Sequence, residues 1–172
     1  MSDTERLFTT YHAALVRYLT RRLGDRDWAE DVAQETFVRA LRQEHLVNER
    51  SWLFAVATNL VRDEARKDIR HRRHLELLAA EQQEAQAEAP DVTLERALDA
   101  ADARHALDAL GERDRQALLL REEGLDYTEI AEILGVTVGS VGTTLSRARR
   151  RLTESYEAQA AVRTQRGKHA AS

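Results

Sequence analysis

Apolar residues recur along the first third of the chain at helical spacing. Leu7, Tyr11, Ala14, Leu15, Tyr18 and Leu19 lie three or four apart and predict one helix over 4–23, ended by Gly24. After the polar turn GDRD, the residues Ala29, Val32, Ala33, Thr36, Phe37, Ala40 and Leu41 repeat the pattern and predict a second helix, with Asp27 as its N-cap. The stretch 43–49, QEHLVNE, has no period and reads as a loop. Trp52, Leu53, Val56, Leu60 and Val61 then open a third helix that runs on into a basic segment. Three helices with stripes of this kind can share a core.

From 75 to about 102 the pattern fades, because AAEQQEAQAEAP carries Ala, Glu and Gln but no large apolar side chain to bury. This reads as a linker, with Pro90 and Asp91 restarting a helix through Leu94, Leu98, Ala101 and Leu107 to Leu110, and Gly111 as its stop. The pattern returns in LDYTEIAEILGVTVGSVGTTLSRARRRL at 125–152. Asp126 precedes Glu129 by the spacing of a capping box, Ile130, Ala131, Ile133 and Leu134 supply a buried face, Gly135 breaks the helix and Thr137 caps the next. Val136 plugs the space between the two, which makes the unit a helix-turn-helix.

At about 100° per residue, Leu145, Ala148 and Leu152 of the second helix fall within roughly 40° of Val141, so these four face the core. Thr143, Ser146, Arg147 and Arg150 then stand opposite, short hydrogen-bonding groups and long cations suited to base edges in a major groove. Arg149 and Arg151 point sideways, toward phosphates. The plainer alternative is that these arginines solvate a helix end and favour its dipole.

Composition narrows the class. With no cysteine there is no disulfide framework, thiolate metal site or cysteine nucleophile, and a reducing cytoplasm fits. No apolar run approaches the length of a membrane span, and the N-terminus is too polar for a signal peptide. One proline, few aromatics and abundant Ala, Leu, Glu and Arg favour an all-α chain. The net charge of −4 hides a segregation: 59–74 has six basic residues against three acidic, 75–102 has eight acidic against Arg96 alone, and 137–152 has four arginines and no acid. The six histidines suggest a metal, but HRRH at 71–74 is surrounded by cations and lacks a carboxylate at ligand spacing. Glu122 and Glu123 sit in a polar stretch with no pocket to perturb them, and no Gly-rich phosphate loop occurs, so neither an enzyme nor a cofactor is expected.

On these residues the chain resembles a bacterial RNA polymerase sigma factor of the extracytoplasmic-function (ECF) group, within the sigma-70 family. DVAQETFVRAL and SWLFAVATNLVRDEARK are similar to the family's region two, and the helix-turn-helix to its region four. The resemblance implies two small helical domains, 1–74 and 103–152, joined by an acidic linker over 75–102, with a flexible tail over 153–172. It implies a non-enzymatic role: binding the β′ clamp and β flap of core polymerase, recognising the −10 and −35 promoter elements, and opening the duplex. Asp31, Gln34 and Glu35 stand where the clamp-binding motif stands, on one broad helical face, with Phe37 beside them read as core.

For the −10 element the resemblance points to the third helix, where Asn59, Arg62, Arg66 and Arg70 form a stripe with Lys67 beside it. A solvated face, with Asp63, Glu64 and Asp68 pairing those arginines, is the alternative. The preceding loop, 43–50, occupies the place of a flipped base; Asn48 supplies a polar edge, but no aromatic is there to stack. Trp52 reads as helix packing. The linker's net charge of −7 suits both a nucleic-acid mimic in the polymerase channels and a solubilising tether. An anti-sigma partner is common in the family and leaves no signature here. Gly111 replaces a usual proline, and Gly142 a usual basic residue, at some cost to the recognition helix. The rival readings are a stand-alone helix-turn-helix regulator, which has no need of the basic stripe or the linker, and a helical adaptor, which leaves the arginines of the last helix unexplained.

Overall fold

The computed structural model describes residues 2–67 and 94–170, with the side chains of 66–67 and 94–98 outside the description. Among the described residues seven helices follow in order: α1 (Asp3–Leu23), α2 (Arg26–Ala40), α3 (Glu49–Lys67), α4 (Leu94–Asp108), α5 (Glu112–Glu122), α6 (Tyr127–Leu134) and α7 (Val138–Ala170). No strand occurs among the described residues. No helix among them is long and apolar enough to cross a membrane.

Local chemistry sets the ends of α1 and α2. Ser2 and Glu5 form a reciprocal capping box at the start of α1, and Gly24 ends it at φ 71°, the left-handed region that glycine enters without penalty. The cap of α2 is Asp25 rather than the expected Asp27: its Oδ1 accepts from the backbone N–H of Trp28 at 2.9 Å, while Asp27 already lies inside the first turn. The turn after Gly24 is thus shorter than the GDRD pattern suggested. α3 is preceded by Asn48, whose Oδ1 accepts from the Ser51 N–H at 3.2 Å and whose carbonyl accepts from the Trp52 N–H at 2.9 Å.

α1, α2 and α3 pack on one another. Leu15, Tyr18, Leu19, Ala29, Ala33, Leu53, Phe54 and Ala57 are fully buried between them. Inside this core the Tyr18 hydroxyl and the Thr58 hydroxyl share a 3.0 Å hydrogen bond, which satisfies both polar groups where water is absent. Burial pushes the Tyr18 phenol above its ordinary pKa.

In the second half, α5, α6 and α7 pack together around Ala117, Leu120, Leu125, Ile130, Val141 and Leu145. The pattern of apolar positions predicts no element between Gly111 and Asp126. α5 fills that gap, and Gly111 is its N-cap rather than only the stop of the helix before it, since α4 has already ended at Asp108. Residues 153–170 of the tail expected to be flexible instead continue α7, a helix of 33 residues. No proline interrupts it, and Arg163 anchors it to α4 through Asp99 (3.3 Å) and Asp102 (2.7 Å). Leu152 is half-buried; it lines a groove against Ala103, Ala106 and Leu107 of α4 rather than completing the core stripe.

The two halves are in contact, α1 against α5 and α3 against α6, and one apolar cluster runs through both, from Leu7 to Leu145. Among the described residues three ion pairs cross the junction. Arg17 chelates Glu123 at 2.8 and 2.6 Å, Arg22 reaches Glu112 at 3.2 Å, and Arg50 reaches Glu129 at 3.1 Å. Every cation belongs to the first half and every acid to the second.

Candidate nucleic-acid and polymerase interface

On α2, burial of Val32, Ala33, Thr36, Phe37 and Ala40 turns the other side of the helix to solvent. Asp31, Gln34 and Glu35 are all on that exposed side, and Glu35 accepts from the Arg39 Nε at 2.9 Å. Phe37 is buried, its ring 5.2 Å from that of Phe8. These polar side chains lie outside the core, with Glu35 held by Arg39.

On α3, Leu53, Phe54, Ala57, Thr58, Leu60 and Val61 face inward, which leaves Asn59 and Arg62 exposed one turn apart. Glu64 accepts a hydrogen bond from the Trp28 indole at 2.6 Å, and among the described residues no ion pair joins Arg62 to Asp63 or Glu64. The side chains of Arg66 and Lys67, and all of Arg70, Asp68 and HRRH, lie outside the described residues. Asn48 has a second role that the sequence did not suggest: its side-chain oxygen caps α3, which leaves its amide N–H2 on the exposed side as the polar edge.

The helix-turn-helix is built by its caps. The Asp126 carboxylate accepts from the Glu129 N–H at 2.8 Å while Glu129 accepts from the Asp126 N–H at 3.4 Å. The first of these bonds holds the Asp126 carboxyl below the ordinary carboxylate range. Gly135 ends α6 at φ 66°, and Val136 packs against the core as the plug between helices. The Ser140 hydroxyl and N–H both donate to the Thr137 carbonyl at the start of α7. Val141, Thr144, Leu145 and Ala148 form the buried stripe of α7, and Thr143, Ser146, Arg149 and Arg150 are exposed.

Arg147 is the exception. It was expected at the centre of the open face; instead it lies on the flank that packs against α5, where its Nε donates to Asp114 Oδ2 at 3.2 Å and its Nη2 to Asp114 Oδ1 at 2.6 Å. Arg151, expected to point sideways to phosphates, joins the same carboxylate through Nη1 at 3.3 Å. The physical reason is that the Asp114 side chain is only 4% exposed, and a carboxylate so removed from water demands cationic partners. The hydrogen bond from Arg147 leads in holding the Asp114 carboxyl below its ordinary range, against the opposing effect of burial.

Sequence reasoning missed Asp114, although a signal was there: it stands three residues before Ala117, which stands three before Leu120, so it is in phase with a buried stripe. It also missed the junction. Glu123, read as one of two carboxylates in a polar stretch, has a side chain 3% exposed and chelated by Arg17. Among the described residues no cluster of His, Asp or Glu could hold a metal ion.

Two family models match the chain: Sigma-70 region 2 over 7–73 and Sigma-70, region 4 over 101–152. The chain is 34% identical over 157 residues to the ferric citrate uptake sigma factor FecI of Escherichia coli, covering 84% of this chain and 85% of that protein. It is 34% identical over 152 residues to the RNA polymerase sigma factor YlaC of Bacillus subtilis, covering 84% and 87%. Among solved structures, the sigma factor RpoE of Bartonella quintana, in complex with the anti-sigma factor NepR, has a similar fold, with a TM-score of 0.66 at 24% identity over 91% of this chain and 98% of that one.

Proposed function

The chain belongs to the ECF group of the sigma-70 family and is an alternative sigma factor that directs promoter recognition for transcription initiation, and on that premise we propose which of its residues meet each partner. Sigma factors are initiation factors rather than catalysts.

Core polymerase is bound through the exposed face of α2, Asp31, Gln34 and Glu35. The −10 element is met by Asn59 and Arg62, continued by Arg66, Lys67 and Arg70, with Asn48 offering its amide N–H2 while its oxygen caps α3. The −35 element is met by α7, through Thr143, Ser146, Arg147, Arg149, Arg150 and Arg151. The observation that carries this reading is the separation of faces on α2, α3 and α7: each buries one apolar stripe and leaves a polar or cationic one uncovered. An anti-sigma protein is a further partner, by analogy with the complex of the RpoE relative.

The test is in vitro transcription with purified core polymerase, with and without this chain, on a promoter with both elements. The variant Gln34→Ala with Glu35→Ala is expected to lower affinity for core polymerase while leaving thermal stability nearly unchanged, because exposed polar side chains contribute little to folding. Unchanged affinity removes α2 from the interface.

A further inference from the structure

Two guanidinium groups of the recognition helix rest on one buried anion. Asp114 lies at the bottom with 4% of its side chain exposed, whereas Arg147 and Arg151 above it are 38% and 54% exposed. The chelated edge of Arg147, Nε with Nη2, is one of the two a guanidinium offers to a bidentate acceptor, and its use fixes the plane and the reach of the side chain. Arg151 sits one turn further along, about 6 Å, on the same carboxylate.

Position on the helix adds a second constraint. Taking about 100° per residue, Thr143, Ser146 and Arg150 fall within roughly 60° of one another, while Arg147 and Arg151 lie roughly 40° and 80° to the side of Thr143 that faces α5. Cations held on the flank of a helix seated in a groove meet the walls of that groove, where the phosphates are.

We propose that Asp114 is a positioning residue for promoter recognition: it holds Arg147 and Arg151 as a fixed pair that grips backbone phosphates and sets the register of α7 in the groove. Base reading is left to Thr143, Ser146 and Arg150. The proposal rests on the assignment of α7 to the −35 element. It reverses the simple reading of Arg147 as a base reader, and it gives a residue with almost no access to solvent a part in specificity.

The experiment measures holoenzyme, assembled from core polymerase and the full chain, on the preferred promoter and on single-base-pair variants of its upstream element, at two salt concentrations. Asp114→Asn is expected to lower discrimination at several base pairs together, by about tenfold. Its salt slope should stay equal or steepen by up to about one ion, since an anion has been removed. Arg147→Lys, which keeps the charge but not the fork, should lower discrimination in the same way, and it carries the test should Asp114→Asn fail to fold. Asp114→Glu should retain most of the discrimination. A merely structural role would lower stability and leave discrimination unchanged. That result in folded variants overturns the proposal, as does loss of preference at one base pair alone in Arg147→Ala. If Thr143→Ala, Ser146→Ala and Arg150→Ala have no effect on upstream preference either, the assignment of α7 itself fails; if they do and Asp114→Asn does not, only the proposal fails.

Discussion

Asp114 is tenable as a charge only because two arginines surround it, and this makes its contribution to stability depend on pH in a defined direction. Its carboxyl pKa in the folded chain is lowered from an ordinary value of 3.8, chiefly by the hydrogen bond from Arg147. Protons therefore bind the unfolded chain first as pH falls, so the stabilisation is fully present above 3.8 and is lost as pH drops through the lower folded value. Thermal unfolding of the native chain and of Asp114→Asn should differ by a constant amount from neutral pH down to about 5 and converge below 3.8. A difference that instead vanished near neutrality would show that Asp114 is not the titrating group. Tyr18→Phe leaves the buried Thr58 hydroxyl without its partner and is expected to cost about 1 kcal/mol in urea unfolding.

The α7 helix shows how an element absorbs a poor residue. Gly142 lies inside it, one position before the proposed base-reading residues, and a glycine there costs about 0.5–1 kcal/mol relative to alanine. A Cβ added at Gly142 would meet the Tyr127 ring carbon Cε2 at 3.6 Å, an ordinary contact. Gly142→Ala should accordingly stabilise the chain by about 0.5–1 kcal/mol, read as a higher urea midpoint at unchanged m-value. Gly135 gives the opposite sign. Its φ of 66° is the turn between the two helices of the DNA-binding unit, and Gly135→Ala should destabilise by about 1 kcal/mol although nothing lies within 4 Å of the added carbon.

At the scale of the whole molecule, the junction between the halves conflicts with the span of a promoter. Elements centred near −10 and −35 are about 25 base pairs apart, roughly 85 Å at 3.4 Å per pair. In the structure α3 touches α6 and α6 touches α7, so the two helices proposed to face DNA have axes separated by at most about two helix diameters, roughly 20 Å. Engaging both elements requires α1 to leave α5 and α3 to leave α6, and residues 68–93 are enough chain to reach roughly 90 Å when extended. Because the junction pairs cations of one half with acids of the other, raised salt should favour separation. Arg17→Glu is expected to increase the radius of gyration of the free chain in solution scattering, and the exchange Arg17→Glu with Glu123→Arg to restore it. A radius indifferent to both would mean that apolar contact alone holds the halves together.

Periodicity along the chain was enough to determine the helices that bury a regular stripe. α1, α2, α3, α6 and the first half of α7 were legible because their apolar residues recur every three or four positions and their ends carry Asp126 or Gly24 and Gly135. The family was legible too, since two motifs in order are a property of the sequence. α5 was not, because its buried face includes Asp114 and Gln116, polar residues that a pattern of apolar positions passes over. The course of α7 beyond 152 was not either, because Arg163 finds Asp99 and Asp102 only once α4 lies beside it. The same limit governs the candidate sites. A helical wheel determines which side of α7 faces its core, but it assumes one neighbour; with α5 also packed on the flank, the position of Arg147 became a partner for Asp114. Which arginine is open to DNA and which carboxylate is buried depend on contacts between residues 33 or 106 positions apart, and only tertiary structure brings those together.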